Sequence, residues 1–558
     1  MEWPAIPYKG LSYYTPEDVA LFGGRTADIR QCARVLVKDN TKALILHGNT
    51  GCGKSSFLRA GLIPFLESEI GRFEFLSTFE IDNTKSLFVR CTNQPLSRLC
   101  ETLFDQGNKT WKVAPPDLPP EIIDIKRIRG SESDRATFVE TNSRSVANLM
   151  TVIRTLSDLL PKTLVLVIDQ AEEILTQKSG LDGQSDRDLF FDFVAAFSNS
   201  SLHLKLVIAL RTEYFGMFFN QLKKRRYSQE QLSDYFLNEL SDAQLLEAIK
   251  MPTSTNIPVK YLQGRVQPAD HYNFEFEEGL PERIVDELRT VETKGGILPV
   301  LQIICERLYR MVEPHRRNRG NQRWKIALAD YESLGRLEQQ VDEYVTDKLF
   351  EKIDIELPNL KSEERVRELA LWKDLLYELV VVEADNRALT RLRRESDLET
   401  LARNLGCRTN FRKMITFLSD DAQRVLRPPE QLIDVRTKES STYYSLGHDA
   451  IAVALSKWHE TRSLQLDQFS WARKSVLYSL RGMSILFFLG SISLPLVLKV
   501  TGAASESEEQ IAILAITVTY VIFGIVLWIS GKYLGDYIQR MLGRFLVVRR
   551  LLSSILRF

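Results

Sequence analysis

At 558 residues and 64.1 kDa the chain exceeds what one hydrophobic core holds, so several domains are expected. Lys plus Arg and Asp plus Glu each number 73; this balance excludes a chain-wide basic field, and no direct nucleic-acid binding is expected. A composition 44% hydrophobic and 26% charged excludes a wholly disordered chain and a polytopic membrane protein.

The first residues, MEWPAIPYKG, lack a basic stretch leading into an apolar core and do not read as a secretory signal. Six cysteines, Cys32, Cys52, Cys91, Cys100, Cys305 and Cys407, form no CxxC pair and have no spaced histidines, so reduced thiols in a cytoplasmic body are expected. The apolar runs Ala43–His47, Ser86–Cys91, Leu164–Ile168 and Leu204–Leu210 predict buried parallel strands, each followed by a helical pattern. This is the signature of a parallel α/β domain. Asn108–Asp134, with Pro115, Pro116, Pro119 and Pro120, reads as an insertion.

The strongest motif joins the first strand to the next helix. Gly48-Asn49-Thr50-Gly51-Cys52-Gly53-Lys54-Ser55 is GxxxxGK[ST]: backbone N–H groups and the helix N-terminus cradle phosphate, Lys54 reaches the β- and γ-phosphates, and Ser55 holds Mg2+. Ser56 extends this nucleotide-binding set. Asp169 closes the third strand, where a carboxylate meets the magnesium ion at the carboxyl end of the sheet. Glu172 and Glu173 follow, and either one could polarise the attacking water, the other being an ordinary first-turn acid. Arg211, directly after the fourth strand, stands where a γ-phosphate-sensing cation would.

From about residue 230 the pattern is helical, and from about 335 to 462 mixed, with no 20–50-residue repeat. Met483–Leu498 and Ile511–Gly531 carry no charge; the second matches the roughly 20 residues of a spanning helix, and the first needs Arg481 and Lys499 to snorkel. The connector carries Glu506, Glu508 and Glu509, and basic residues flank the pair. The positive-inside rule then predicts a two-span protein of the cell (inner) membrane, with both ends and the body cytoplasmic. Residues 531–558, with six basic side chains against one acidic, predict an interfacial helix on the lipid bilayer.

These residues together resemble the STAND class of signal-transducing P-loop ATPases, in the bacterial branch related to NB-ARC and NACHT switches, over about residues 20–462. Phe22-Gly-Gly-Arg25 resembles the element that flanks adenine, and GNTGCGKSSFLRAGLIP extends the phosphate-loop match. VRCTNQPLSRL, DQAEE and LRTEYF resemble the second-strand, Walker B and sensor segments. GGILPVLQIICERLY, containing Pro299, resembles the GxP helical segment, and DYESLGRLEQQV and LGHDAIAVALSKWHE the connector and winged-helix end.

The resemblance implies an ATPase switch closed with ADP and open with ATP, in which Arg25 and Pro299 border the nucleotide and His448 contacts its β-phosphate. It implies homo-oligomerisation on a trigger, a phage protein or a neighbouring sensor, in antiviral defence or programmed cell death. Relatives carry a sensing repeat array where this chain has its apolar C-terminal runs, so here a membrane effector is expected. A constitutive membrane-tethered motor and a nucleotide-binding scaffold are the rival readings; steady turnover near one per second would mark the motor.

The expected organisation is an N-terminal segment (1–20), a P-loop domain (21–229), a helical domain (230–334), a winged-helix-containing domain (335–462), a linker helix (463–482), and a hairpin with its basic helix (483–558).

Overall fold

The computed structural model describes residues 2–463 apart from 76–77, 80–84, 87–88, 91–94, 111–131, 160–161, 177–180, 203, 291–295, 317–322, 383–387, 421–422, 428 and 434–439. Beyond 463 it describes 478–486, 489, 515, 517–519, 521–526 and 529.

Six strands build the central sheet: β1 (Ala43–Gly48), β2 (Phe73–Phe75), β3 (Val89–Arg90), β4 (Thr163–Asp169), β5 (Leu204–Arg211) and β6 (Leu232–Phe236). All pair in parallel, in the order β2–β4–β5–β1–β6, with β3 also beside β4. Every residue of β1 is buried, as are nearly all of β4 and β5, because helices cover both faces. Alternation decides which face each side chain serves. Ile45, Leu166, Ile168 and Ile208 join one apolar cluster, while Leu44, Leu46, Val165, Val167 and Val207 join the other. The core is thus the expected parallel α/β P-loop fold, extended by β6 past the boundary expected at residue 229. Asn108–Asp134 lies mostly outside the described residues.

Beyond the sheet the chain is helical, with Leu280–Thr290 and Ile297–Arg316 sharing one large core with the residues that follow. A third region holds helices Ser362–Tyr377, Glu395–Leu405 and Phe411–Ser419 and the antiparallel pair Glu430–Ile433 and Ser440–Tyr444. Buried Glu368 ties it together: its Oε1 accepts from Trp372 Nε1 at 3.2 Å, Arg408 N at 2.9 Å, and Thr409 N and Oγ1 at 2.9 and 2.6 Å. The helix over 449–463 closes the region.

The N-terminal segment threads past all three. Trp3 lies under the Arg265 guanidinium at 4.0 Å, and the Tyr8 hydroxyl donates to the Ile249 carbonyl at 2.6 Å. Tyr14 N donates to Ser56 Oγ at 3.2 Å, and its hydroxyl to Gln302 Oε1 at 3.0 Å.

The expected two-span placement in the inner membrane is corrected by the structure: among the described residues no helix is long and apolar enough to cross a membrane. Of this part of the chain the structure describes helical residues at 478–486 and 521–526. The two stretches pack together, with Ser484 Oγ donating to the Gly524 carbonyl at 2.7 Å. Most of 483–498 and 511–531, the acidic connector and the basic 531–558 lie outside the described residues.

Candidate nucleotide-binding site

Pairing of Gly48 with Arg211 in register, and of Ile168 with Ile208, brings the ends of β1, β4 and β5 to one edge of the sheet. Ligands bind at the carboxyl edge of such sheets, and here a cavity of about 290 Å³ opens. Its floor is the loop after β1. Gly51 and Gly53 have φ of +79° and +89°, a left-handed backbone that favours glycine. A Cβ on Gly48 would lie 2.6 Å from the Leu237 carbonyl oxygen, so a side chain is excluded there too.

The helical stretch that follows spans residues 54–70 and widens into π turns at Phe57–Leu62 and Leu66–Ile70. Pro64 lies between them and has no N–H to give an ordinary turn.

Lys54 Nζ donates to the carbonyls of Gly48 and Asn49, at 2.8 and 3.1 Å. Ser55 Oγ donates to Asp169 Oδ2 at 2.7 Å, and Gln170 N donates to Oδ1 at 2.9 Å. A hydroxyl and a carboxylate side by side are hard oxygen donors suited to Mg2+. No group of three or more His, Cys, Asp or Glu able to hold a metal occurs among the described residues, so these two would hold the ion with nucleotide and water oxygens completing its shell. Bound there, Mg2+ would neutralise phosphate charge.

Arg25 is buried, donating to Asp28 Oδ2 and to the Cys52 carbonyl, both at 2.8 Å, and so braces the phosphate loop. Thr50, Cys52, Lys54, Ser55, Ser56, Glu172 and Pro299 all reach the cavity wall. Gly48 and Asn49 lie beneath it, and Glu173 stands outside its lining.

The third region supplies the opposite wall, through His448, Asp449, Arg424 and Arg427. Arg211 connects the two sides: its Nε lies 3.1 Å from Glu172 Oε1 and its Nη1 2.6 Å from Asp449 Oδ2. Burial favours the neutral forms, but the facing charges outweigh it, raising the Arg211 pKa and lowering that of Asp449. His448 Nδ1 accepts the Ala450 N–H at 3.0 Å, which leaves Nε2 as the donor of a neutral ring. Burial, with Arg211, Arg427 and Lys54 nearby and only Asp449 opposing them, lowers its pKa to about 4.

Several cavity residues carry no motif of their own. Tyr13 lies beneath two guanidiniums, Arg59 at 4.1 Å and Arg424 at 4.0 Å from its ring centre. Arg427 Nη1 pairs with Glu173 Oε1 at 2.9 Å. Asp449 had a signal, standing next to His448 in the motif segment; Tyr13, Arg424 and Arg427 had none.

No curated protein matches the chain. The solved structure of the Aeropyrum pernix ORC2 protein, in ADPNP–ADP complexes, aligns over 77% of this chain and 95% of its own, at 12% identity and a TM-score of 0.32. The model of one family, novel STAND NTPase 1, matches residues 7–467, and with a phosphate loop, a strand-end aspartate and a parallel sheet in place, the chain belongs to that family of P-loop nucleoside triphosphatases.

Proposed function

We propose that the protein is an ATP/ADP switch with Mg2+ as cofactor, held closed by its third region over a bound diphosphate and opened by exchange to triphosphate. The observation that carries this reading is the 2.6 Å contact between Arg211 and Asp449, which spans the cavity and joins the nucleotide-binding sheet to the distant helix over 449–463. A cavity walled by two domains senses its ligand, because contacts that differ between two ligands shift the domain equilibrium. On this reading Lys54 and the loop from Gly48 to Ser56 hold the phosphates, with Ser55 and Asp169 at the metal. The neutral His448 donates from Nε2 to the β-phosphate, and Arg25 and Pro299 border the base.

On this reading the third region is a winged helix, supported by its three helices and by the antiparallel pair Glu430–Ile433 and Ser440–Tyr444, which would be the wing. Opening frees its surface for homo-oligomerisation. A role in antiviral defence or programmed cell death, with a phage protein or neighbouring sensor as trigger, rests on the family resemblance alone.

Light scattering on purified protein tests the switch. A larger assembly with a non-hydrolysable ATP analogue than with ADP is expected, and identical masses in both would refute it.

A further inference from the structure

Two acids follow Asp169, and each faces an arginine, but the arginines belong to different parts of the molecule. Glu172 accepts from Arg211 Nε at 3.1 Å and from Arg211 N at 3.3 Å. Arg211 ends β5, in the same sheet as Asp169, so this pair stays whole however the third region moves. Glu173, at the start of the short helix Glu173–Thr176, accepts from Arg427 at 2.9 Å across 254 residues of sequence. That pair is 15% and 12% exposed, so solvent screens it little. Arg427 lines the cavity while Glu173 does not. The guanidinium that holds Glu173 Oε1 thus belongs to a residue of the cavity lining, and at that oxygen it competes with a proton. Arg424, three residues earlier, anchors the same segment on Tyr13.

We propose that Arg427 is a positioning residue that withholds Glu173 from the reaction while the third region is closed, and that opening removes Arg427 but not Arg211, making Glu173 the general base. This rests on the switch reading above. In the open form a water oxygen bonds to the γ-phosphorus, and the bond from that phosphorus to the bridging oxygen breaks, its electron pair staying with the diphosphate. The water proton passes to the Glu173 carboxylate. Hydrolysis is thereby tied to opening, and Glu172, which keeps its own arginine in both forms, stays an ion-pair partner.

Steady-state hydrolysis by the full chain, without a trigger, tests this. Arg427→Gln should raise kcat about fivefold or more with little change in KM, and Arg427→Lys should recover most of the restraint. Adding Glu173→Gln to Arg427→Gln should bring the rate below that of the parent. A fall in kcat for Arg427→Gln would make Arg427 a cation acting on phosphate and overturn the proposal, as would a double variant that keeps the raised rate. If Arg427→Gln does not fold, by its melting curve, the swapped pair Glu173→Arg with Arg427→Glu takes its place. It should retain diphosphate like the parent yet not hydrolyse, and turnover in it would also overturn the proposal. Failure of the switch reading looks different: Asp449→Asn would then release ADP at the parental rate, whatever the Arg427 variants do.

Discussion

Replacing Asp449 by Asn keeps the side-chain volume and removes the charge that meets Arg211. Asp449 is 5% exposed, its Oδ2 lies 2.6 Å from Arg211, and its Oδ1 accepts from Thr390 N at 3.3 Å. The contact is an ion pair, and contacts that couple two sites are typically worth about 1–3 kcal/mol. The larger penalty of orphaning a buried charge, about 3–5 kcal/mol, does not apply, because Arg211 keeps Glu172 at 3.1 Å. Closure should therefore weaken by about 1–3 kcal/mol, which is a rise of about 5- to 150-fold in the release rate of ADP. Stopped-flow chase of a fluorescent ADP analogue measures this directly, and Arg211→Lys, which keeps the charge but loses the two-sided fork, should fall between Asp449→Asn and the parent. Release from Asp449→Asn within about twofold of the parent would mean that the contact does not hold the cavity shut, and the reasoning would fail.

Three further outcomes are expected. Lys54→Ala should weaken nucleotide binding by about 2–3 kcal/mol or more in a calorimetric titration, since loop amides alone do not balance the phosphate charge; normal binding would displace the phosphate site from this loop. His448 has its pKa lowered to about 4 in the closed form, against about 6.5 when solvated. The closed form thus binds fewer protons, so closure is undiminished above about pH 6.5 and weakens as the pH falls from there toward 4. Closure of the nucleotide-free protein should loosen over that window, read by energy transfer between labels on the sheet domain and the third region, and His448→Gln should flatten the profile; an unchanged profile would assign the effect elsewhere. Glu368→Ala leaves the buried N–H of Thr409 without its acceptor, while Trp372 Nε1 keeps Thr409 Oγ1 at 3.2 Å, and should cost about 1–3 kcal/mol of stability, read as a lower denaturant midpoint.

The sheet was legible because buried parallel strands are continuous apolar runs, and Leu164–Ile168 and Leu204–Leu210 were placed almost to the residue. β2 and β6 escaped: Phe73–Phe75 is too short to show a period, and Leu232–Phe236 carries Ser233 and Asp234 as an edge strand does. Lys54, Ser55 and Asp169 were legible because phosphate and magnesium demand fixed residue types at fixed spacing. Their partners were not, since Arg427 reaches Glu173 and Arg424 reaches Tyr13 only through tertiary folding, and isolated arginines have no sequence period. The two charge-free runs lie mostly outside the described residues, and among those described no helix is long and apolar enough to cross a membrane.

Because Trp3 and Tyr8 are seated on the helical region and Tyr13 and Tyr14 in the cavity wall, the N-terminal segment is a cord tied at both places. A fluorophore or affinity handle fused ahead of Trp3 would be attached to the cord itself, and tension on it would reach Arg59 and Arg424 through the Tyr13 ring. A handle there would pull on residues that line the cavity, so an exposed position of Glu395–Leu405, such as Thr400 or Asn404, is the better choice for following closure.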